Sequence, residues 1–556
     1  MQWLTNLLVN RGNDLSTFFL PNAYFFKRAI LKFGQIPLFS PIQFLGFPYL
    51  ADPQNYIFYL PNYLFVIFPV ELAFIVLLLG HLLLAGFTSF LLFKNTFKLK
   101  SFPSIFSAII YAITPMIFSH LEAGHYSMIV AFAWLPLFIH LVFSFLKNPT
   151  IKTIIFLSIV SWILYLNYIS ITYFALIFFA TYSIFYLFTN KEKINLKLFA
   201  IRYLLFALFF LGLIAPVLLS QLQVATHTTR DLLTFADVAQ PIWNLKLFGQ
   251  NLFFPYNLTH VQFSTERVLF PGLVIWLLAA FGWFKVKRSD KRFLTGWLIL
   301  SLVVVLGAST PIFKLMYSYF PLMRWMRVTT RMWIISLLVF IVPFAGLGLQ
   351  KLLLKKTKRW AIFLAAIALF ELLLVNFRIF SRPIEKNPLP ASFYQTIIQD
   401  GETNFRVYCT TGCFSLQKLG ELGINSLTGN NPVQLKTSTQ KIADAAGYKY
   451  ADYIPILPPY PVFASRPQPS SLKLADLATK YIASPYELTD PGFKLLTRQD
   501  GFFLYLNQQQ LKFPQAFNYS LKSLKIELAV FGLTWVAIVY AYRHPQLFYR
   551  RSRARR

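Results

Sequence analysis

Apolar residues run down this chain in long blocks rather than in strict alternation. Examples are "ELAFIVLLLGHLLLAGFTSFLLF" (71–93) and "WIISLLVFIVPFAGLGL" (333–349). Such blocks match the roughly 20 residues that a helix needs to cross a bilayer. Hydropathy predicts eleven spans, near 71–93, 103–118, 126–146, 151–167, 169–188, 198–220, 268–284, 293–308, 329–350, 360–379 and 524–542. The chain therefore reads as a polytopic α-helical membrane protein of about 11 spans.

Composition agrees, since only 13% of the 556 residues are charged, against about a quarter in soluble domains. The net charge of +31 raises nucleic acid as a partner, but the placement of the charge argues against it. Segments 94–102, 147–152, 189–202, 285–292, 351–359 and 543–556 hold 25 of the 52 Lys and Arg and only two acids, Glu192 and Asp290. Basic clusters between spans mark the cytoplasmic side. Threading the spans puts every one of them on the same side, with the N-terminus outside and the C-terminus inside. The tail "RRSRARR" then suits anionic lipid, so the partners are membrane lipids and not nucleic acid. "MQWLTNLLVN" has neither a basic n-region nor a long enough apolar core for a signal peptide. Either the N-terminus is translocated as it stands or, the favoured expectation, a first span upstream of Met1 is missing or truncated.

Four segments follow from this threading: an extracytoplasmic loop at 1–70, a ten-span body at 71–379, an extracytoplasmic domain at 380–523, and the last span with its basic tail at 524–556. The domain has ordinary soluble charge, with 14 Lys or Arg and 10 Asp or Glu. "NFRVYCT" and "DGFFLYLN" predict strands, and "SLKLADLATKYIA" predicts a helix running into a strand, giving a mixed α/β fold. "PILPPYPVFASRPQPSS" (455–471) predicts a loop. Cys409 and Cys413 are the only cysteines; an oxidised pair and free thiols are equally open, and two ligands are too few for a metal site. Within 1–70, "NAYFFKRAILKF" groups Phe25, Phe26, Ala29, Ile30 and Phe33 on one helical face, opposite Lys27, Arg28 and Lys32. That pattern predicts an interfacial helix lying on the membrane. The Pro- and Gly-rich stretch after it predicts an irregular loop packed over the spans as a roof, because irregular backbone near lipid survives only when covered by protein or lining a wet cavity.

Carboxylates are scarce enough for each to matter. Asp14, Asp52, Glu122, Asp231, Asp237 and Glu266 are the acids of the external loops of the body. Asp14, in "NRGNDLSTFF", reads either as a general base with a carboxyl raised by apolar surroundings or as a helix N-cap. Asp52 precedes a proline, where turn duty competes with a ligand role. "SHLEAGHYSM" (119–128) gathers His120, Glu122 and His125, open to a divalent cation or a phosphate, with plain loop solvation as the alternative; the spacing fits no standard metal signature. "FPLMRWMRVTTRMW" (320–333) spaces Arg324, Arg327 and Arg331 along one helical face, suited to a lipid phosphate or to snorkelling toward headgroups. Glu266 and Arg267 are expected to pair with each other. No Walker loop, dinucleotide fingerprint or nucleophile elbow occurs, so any chemistry draws on a membrane-delivered substrate. These residues fix no cofactor beyond the open cation.

The ordered set "GQIPLFSP…GFP…ADPQ…YLPN" in the first loop, "AGHYSMIVAFAWLPL", "FPLMRWMRVTTRM" and the late "ATKYIASPYELTDPGFKLLTRQDGFFLYLN" resembles GT-C superfamily membrane glycosyltransferases, and most of all YfhO-like bacterial membrane proteins. The resemblance implies an inverting transfer of sugar from a polyprenyl-phosphate donor to a glycan, lipid or protein acceptor of the envelope, on the outer face of a bacterial-type plasma membrane. It makes Asp14 the base and gives Asp52, Glu122, His125, Arg324, Arg327 and Arg331 to substrate, the arginines with His125 meeting the departing phosphate. Family members carry a span directly before the acid-bearing loop, and this sequence lacks it. A lipid or glycan transporter or flippase, or a non-catalytic envelope scaffold, are the competing classes. A transporter would want mid-membrane charges and related halves, and neither is visible.

Overall fold

The computed structural model describes all residues except 1–4, 6, 7, 10, 12, 327, 355, 356, 382–388, 403, 432, 449–465, 513–520 and 546–556. Arg327, most of the proline-rich loop and the basic end of the tail thus lie outside the described residues. The protein is a mostly helical, multi-pass membrane protein with a small sheet domain near its C-terminus. Among the described residues, eight helices are long and apolar enough to cross a membrane: Val70–Asn95, Ser101–Glu122, Tyr126–Lys147, Ile169–Thr189, Leu196–His227, Thr329–Leu353, Lys358–Phe380 and Lys525–Arg543. The spans predicted near 151–167, 268–284 and 293–308 are the shorter helices Ile151–Asn167, Leu273–Lys285 and Lys291–Val305. Span 103–118 is two helices, Ser101–Ala112 and Pro115–Glu122, broken where Pro115 starts the second.

Packing divides the chain into two units. One comprises Met1–Leu77, Val217–Leu233 and Pro383–Leu521; the other comprises Leu78–Pro216, Thr234–Arg382 and Lys522–Arg556. The first loop and the late domain, read from the sequence as separate segments, therefore fold together.

The second unit holds most of the spans. Thr329–Leu353 is its centre, with its most apolar window wholly buried, whereas only 17% of that of Lys525–Arg543 is buried. The peripheral helix exposes Ile526, Leu533 and Val536, as a lipid-facing helix should. Polar side chains inside the bundle reach across helices: Thr88 donates to the Ala133 carbonyl at 2.7 Å, Asn376 to that of Ile113 at 2.7 Å, and Ser336 to Ser301 at 2.7 Å. Without water, such groups must find protein partners. A close helix crossing joins Leu273–Lys285 to the end of the central span. A Cβ on Gly282 would collide with the Phe344 carbonyl, and one on Gly348 with the Leu278 carbonyl.

The first unit is built on a five-stranded sheet. After a two-residue pair, β1 (Phe39–Ser40) and β2 (Phe47–Pro48), come β3 (Arg406–Cys409), β4 (Asn425–Ser426), β5 (Thr479–Ser484), β6 (Phe493–Gln499) and β7 (Phe502–Asn507). The sheet order is β4-β3-β5-β7-β6. β3 runs parallel to β4 and β5, while β7 is antiparallel to β5 and β6. Alternation along β3 sends Val407 and Cys409 into one core with Phe393 and Ile397, and Tyr408 into another with Ile442, Leu474 and Phe44. Both strands read from "NFRVYCT" and "DGFFLYLN" are present, as is helix Ser471–Asp476 leading into β5. Cys409 and Cys413 form a disulfide.

The amphipathic helix is real but differently used. Helix Leu20–Phe33 buries Phe25, Phe26 and Ala29. Phe26 packs on Tyr56 and Tyr63, and Phe25 on Tyr49. Arg28 donates to the Gly420 carbonyl at 2.6 Å. Protein covers the face expected to meet lipid; Leu31 and Phe33 at its end stay exposed. A covered aromatic face and a lipid-facing one share the same periodicity, so sequence could not separate them.

The glycine crossing is testable. Gly348→Ala should cost about 1–3 kcal/mol by overpacking, read as a lower melting midpoint in detergent. Gly296→Ala, where open space surrounds the added methyl, should leave that midpoint unchanged or higher.

Candidate functional site

In the first unit, the irregular loop and the sheet domain are tied through backbone and amides. The Ser426 N–H donates to the Ile42 carbonyl at 2.9 Å, and buried Arg406 donates to the Phe44 carbonyl at 3.0 Å. After β4 the chain runs "TGNN". The Asn430 N–H donates to Gln43 Oε1 at 3.0 Å, and Gln43 Nε2 to the Thr17 carbonyl at 3.1 Å. Asn430 Nδ2 donates to Thr17 Oγ1 at 2.9 Å and to Asp14 Oδ1 at 3.3 Å. A Cβ on Gly429 would sit 2.7 Å from the Gln43 side chain, so the close approach depends on glycine.

Asp14 stands just before a π-turn, Leu15–Phe19, and makes no cap hydrogen bond. The cap is Asn13, whose Oδ1 accepts from the Leu15 N–H at 3.1 Å. Wide turns of this kind recur at functional sites. Asp14 is half-buried, with an oxygen held by an asparagine 416 residues away in sequence.

Asp52 is the opposite case. It is 1% exposed; Oδ1 accepts from the Gln54 N–H at 2.8 Å and Oδ2 from Asn431 Nδ2 at 3.3 Å. Burial raises its carboxyl to about 7, against the opposing pull of the Gln54 N–H, the Asn431 amide and Arg230. With both oxygens engaged inside protein, Asp52 holds the loop. Asn430 and Asn431 were missed from sequence; the signal was the amide pair directly after Gly429.

In the second unit, His120 and His125 face each other with Nδ1 atoms 2.7 Å apart. A ligand atom from each, and one from Glu266, lie within 4.8 Å of one another. Glu266, and not Glu122, joins the histidines; Glu122 is buried at the end of helix Pro115–Glu122. Glu266 also departs from its expected partner. Arg331 Nη2 meets Glu266 Oε1 at 3.0 Å, while Arg267 Nη1 donates to the Val261 carbonyl at 3.1 Å. Burial would push the Glu266 carboxyl up, but the Arg331 guanidinium prevails and holds it at about 2. Arg331 lies 4.9 Å from the Tyr168 ring.

The arginine stripe is not a helical face. Arg324 sits in a short turn, Met323–Trp325, and Arg331 in another, Thr329–Met332. Between and before them Leu322 and Val328 have φ of 64° and 67°, a region that costs a β-branched residue energy. The segment is pinned there because the Val328 and Thr329 N–H groups donate to the Val238 and Gln240 carbonyls at 3.2 Å. Arg324 is exposed, 5.0 Å from its neighbour Trp325. The remaining loop acids are structural: Asp237 completes a capping box with Thr234, and Asp231 pairs with Lys436 at 2.8 Å.

No family model matches the chain, and no curated protein matches it. Among solved structures, one cryo-EM class of a mutant of the arabinofuranosyltransferase AftD from Mycobacteria is similar with a TM-score of 0.53 and 11% identity, over 92% of this chain and 42% of that one. A second class of the same protein gives 0.49, with 92% and 41% covered. Apo ArnT from Cupriavidus metallidurans gives 0.37 at 9% identity, covering 91% of this chain and 95% of that one. The chain thus spans about two fifths of the AftD chain it matches, and the likeness is one of fold.

Asp52 sets a pH dependence of stability. Its folded carboxyl titrates near 7 and its unfolded one near 3.8, so its contribution is fully present below 3.8 and is lost as pH rises through 7. The melting midpoint should fall from pH 5 to pH 8, at up to ~1.4 kcal/mol per pH unit from this group. Asp52→Asn should flatten that slope; an equal slope in the variant would remove Asp52 as its source.

Proposed function

We propose that the protein is a membrane glycosyltransferase that moves a sugar from a polyprenyl-phosphate donor to an envelope acceptor on the outer face of a bacterial-type plasma membrane. The reading allies it most closely to YfhO-like proteins and makes the reaction inverting. The observation that carries it is the half-buried Asp14 carboxylate, set before a wide turn and held by Asn430 rather than spent on a cap. The AftD-like fold supports the class.

In this reading Asp14 takes the proton of the acceptor hydroxyl as the oxygen attacks the anomeric carbon. The bond from that carbon to the donor phosphate oxygen breaks, and the polyprenyl phosphate leaves with its electron pair. The resemblance gives Glu122, His125, Arg324, Arg327 and Arg331 to substrate, the arginines with His125 meeting the charge that develops on that phosphate. Asp52 acts as a positioning residue, by fixing Asn431 beside Asn430. The roles of Asp14 and of Arg331 fall on separately packed units, and each is testable alone.

The test is transfer from labelled polyprenyl-phosphate sugars by membranes containing the protein. Asp14→Asn should lower the rate about 10²–10⁴-fold with an unchanged melting midpoint and a monodisperse elution profile. A variant that keeps the full rate would reject Asp14 as the base. Wild-type membranes that move no labelled sugar from any polyprenyl-phosphate donor would reject the class.

A further inference from the structure

The geometry points to a divalent-cation site of Zn²⁺ type formed by His120, His125 and Glu266. Three features of the second unit converge on it. The two imidazoles turn Nδ1 toward Nδ1 at 2.7 Å; two neutral rings can share only one proton along that line, and a cation satisfies both lone pairs at once. A tetrahedral ion with bonds of about 2.0–2.1 Å needs ligand atoms about 3.3 Å apart. The three donors already lie within 4.8 Å of one another, so changes in spacing of up to about 1.5 Å complete the set. Lastly, the carboxylate is divided between two tasks. Arg331 takes Glu266 Oε1, while Oε2 is buried and has no hydrogen-bond partner among the described residues. An acceptor left in that state is costly, and a cation beside the two imidazoles removes the cost.

Backbone contacts preset the arrangement. The His125 N–H donates to the His120 carbonyl at 2.9 Å, closing the turn that brings the rings together. The Thr265 hydroxyl donates to the Ser119 carbonyl at 3.5 Å, which docks the Glu266 turn on the helix carrying His120. His120 itself is 1% exposed. Two histidines and one carboxylate are the donor set that zinc uses where a fourth position stays open. That position suits an anionic oxygen; a donor phosphate in that place rests on the transferase reading, whereas metal binding does not.

The experiment measures metal on the full chain, purified in detergent, stripped with EDTA and equilibrated with ZnCl₂ alone. Elemental analysis should find about one Zn²⁺ per chain. Absorption spectroscopy at the zinc edge should show two imidazole nitrogens and an oxygen shell at about 2.0–2.2 Å. His125→Ala and Glu266→Gln should each weaken binding at least 10-fold, His125→Cys should retain it, and Glu122→Gln should bind like wild type. Wild-type protein that stays metal-free, or a zinc shell without two imidazoles, overturns the site even if a variant fails to fold. Wild-type occupancy in both His125→Ala and Glu266→Gln does the same. No sugar substrate enters the assay, so its failure is separate from failure of the transferase reading.

Discussion

The hydrogen bonds that tie the loop after helix Leu20–Phe33 to the edge of the sheet are the constraint on which the first unit depends. Ser426 N–H to the Ile42 carbonyl sets the register, and Asn430 to Gln43 locks it. From that register follow the reach of Asn430 to Asp14 and of Asn431 to Asp52. Each link is modest, about 1 kcal/mol. Their joint effect is positional: a carboxylate near the start of the chain is held by residues from a domain that folds hundreds of positions later.

The second unit solves a related problem with charge. An apolar bundle tolerates ionised groups only when they are paired. Glu266 and Arg331 pair at 3.0 Å beside two histidines, a dense polar cluster in a chain with only seven histidines. The positive φ of Val328, close before Arg331, lets the arginine segment leave helical geometry before the central span begins. Scarcity of charge in the sequence and concentration of charge in space are thus two views of one requirement.

Local pattern made the eight long spans, the strands of the late domain and the helix at 20–33 legible, because each rests on a period of hydrophobic residues within one segment. Partnerships were not legible. Asp14 with Asn430, Glu266 with Arg331, and the aromatic cover of Phe26 all join residues far apart in sequence, and the nearest plausible partner was wrong for Glu266. The arginine stripe failed for a local reason: i, i+3, i+7 spacing implies one face only if the helix is continuous, and Val328 interrupts it between Arg324 and Arg331. Asp52 was read through its proline neighbour, which correctly suggested a turn but said nothing of burial by Asn431.

The account's central claim is that the sheet domain holds Asp14 in its working position through Asn430. The transfer rate of Asn430→Ala, in membranes where the variant matches wild type in amount and melting midpoint, tests this most directly. The account predicts a fall of at least 10-fold. A rate equal to wild type would contradict it.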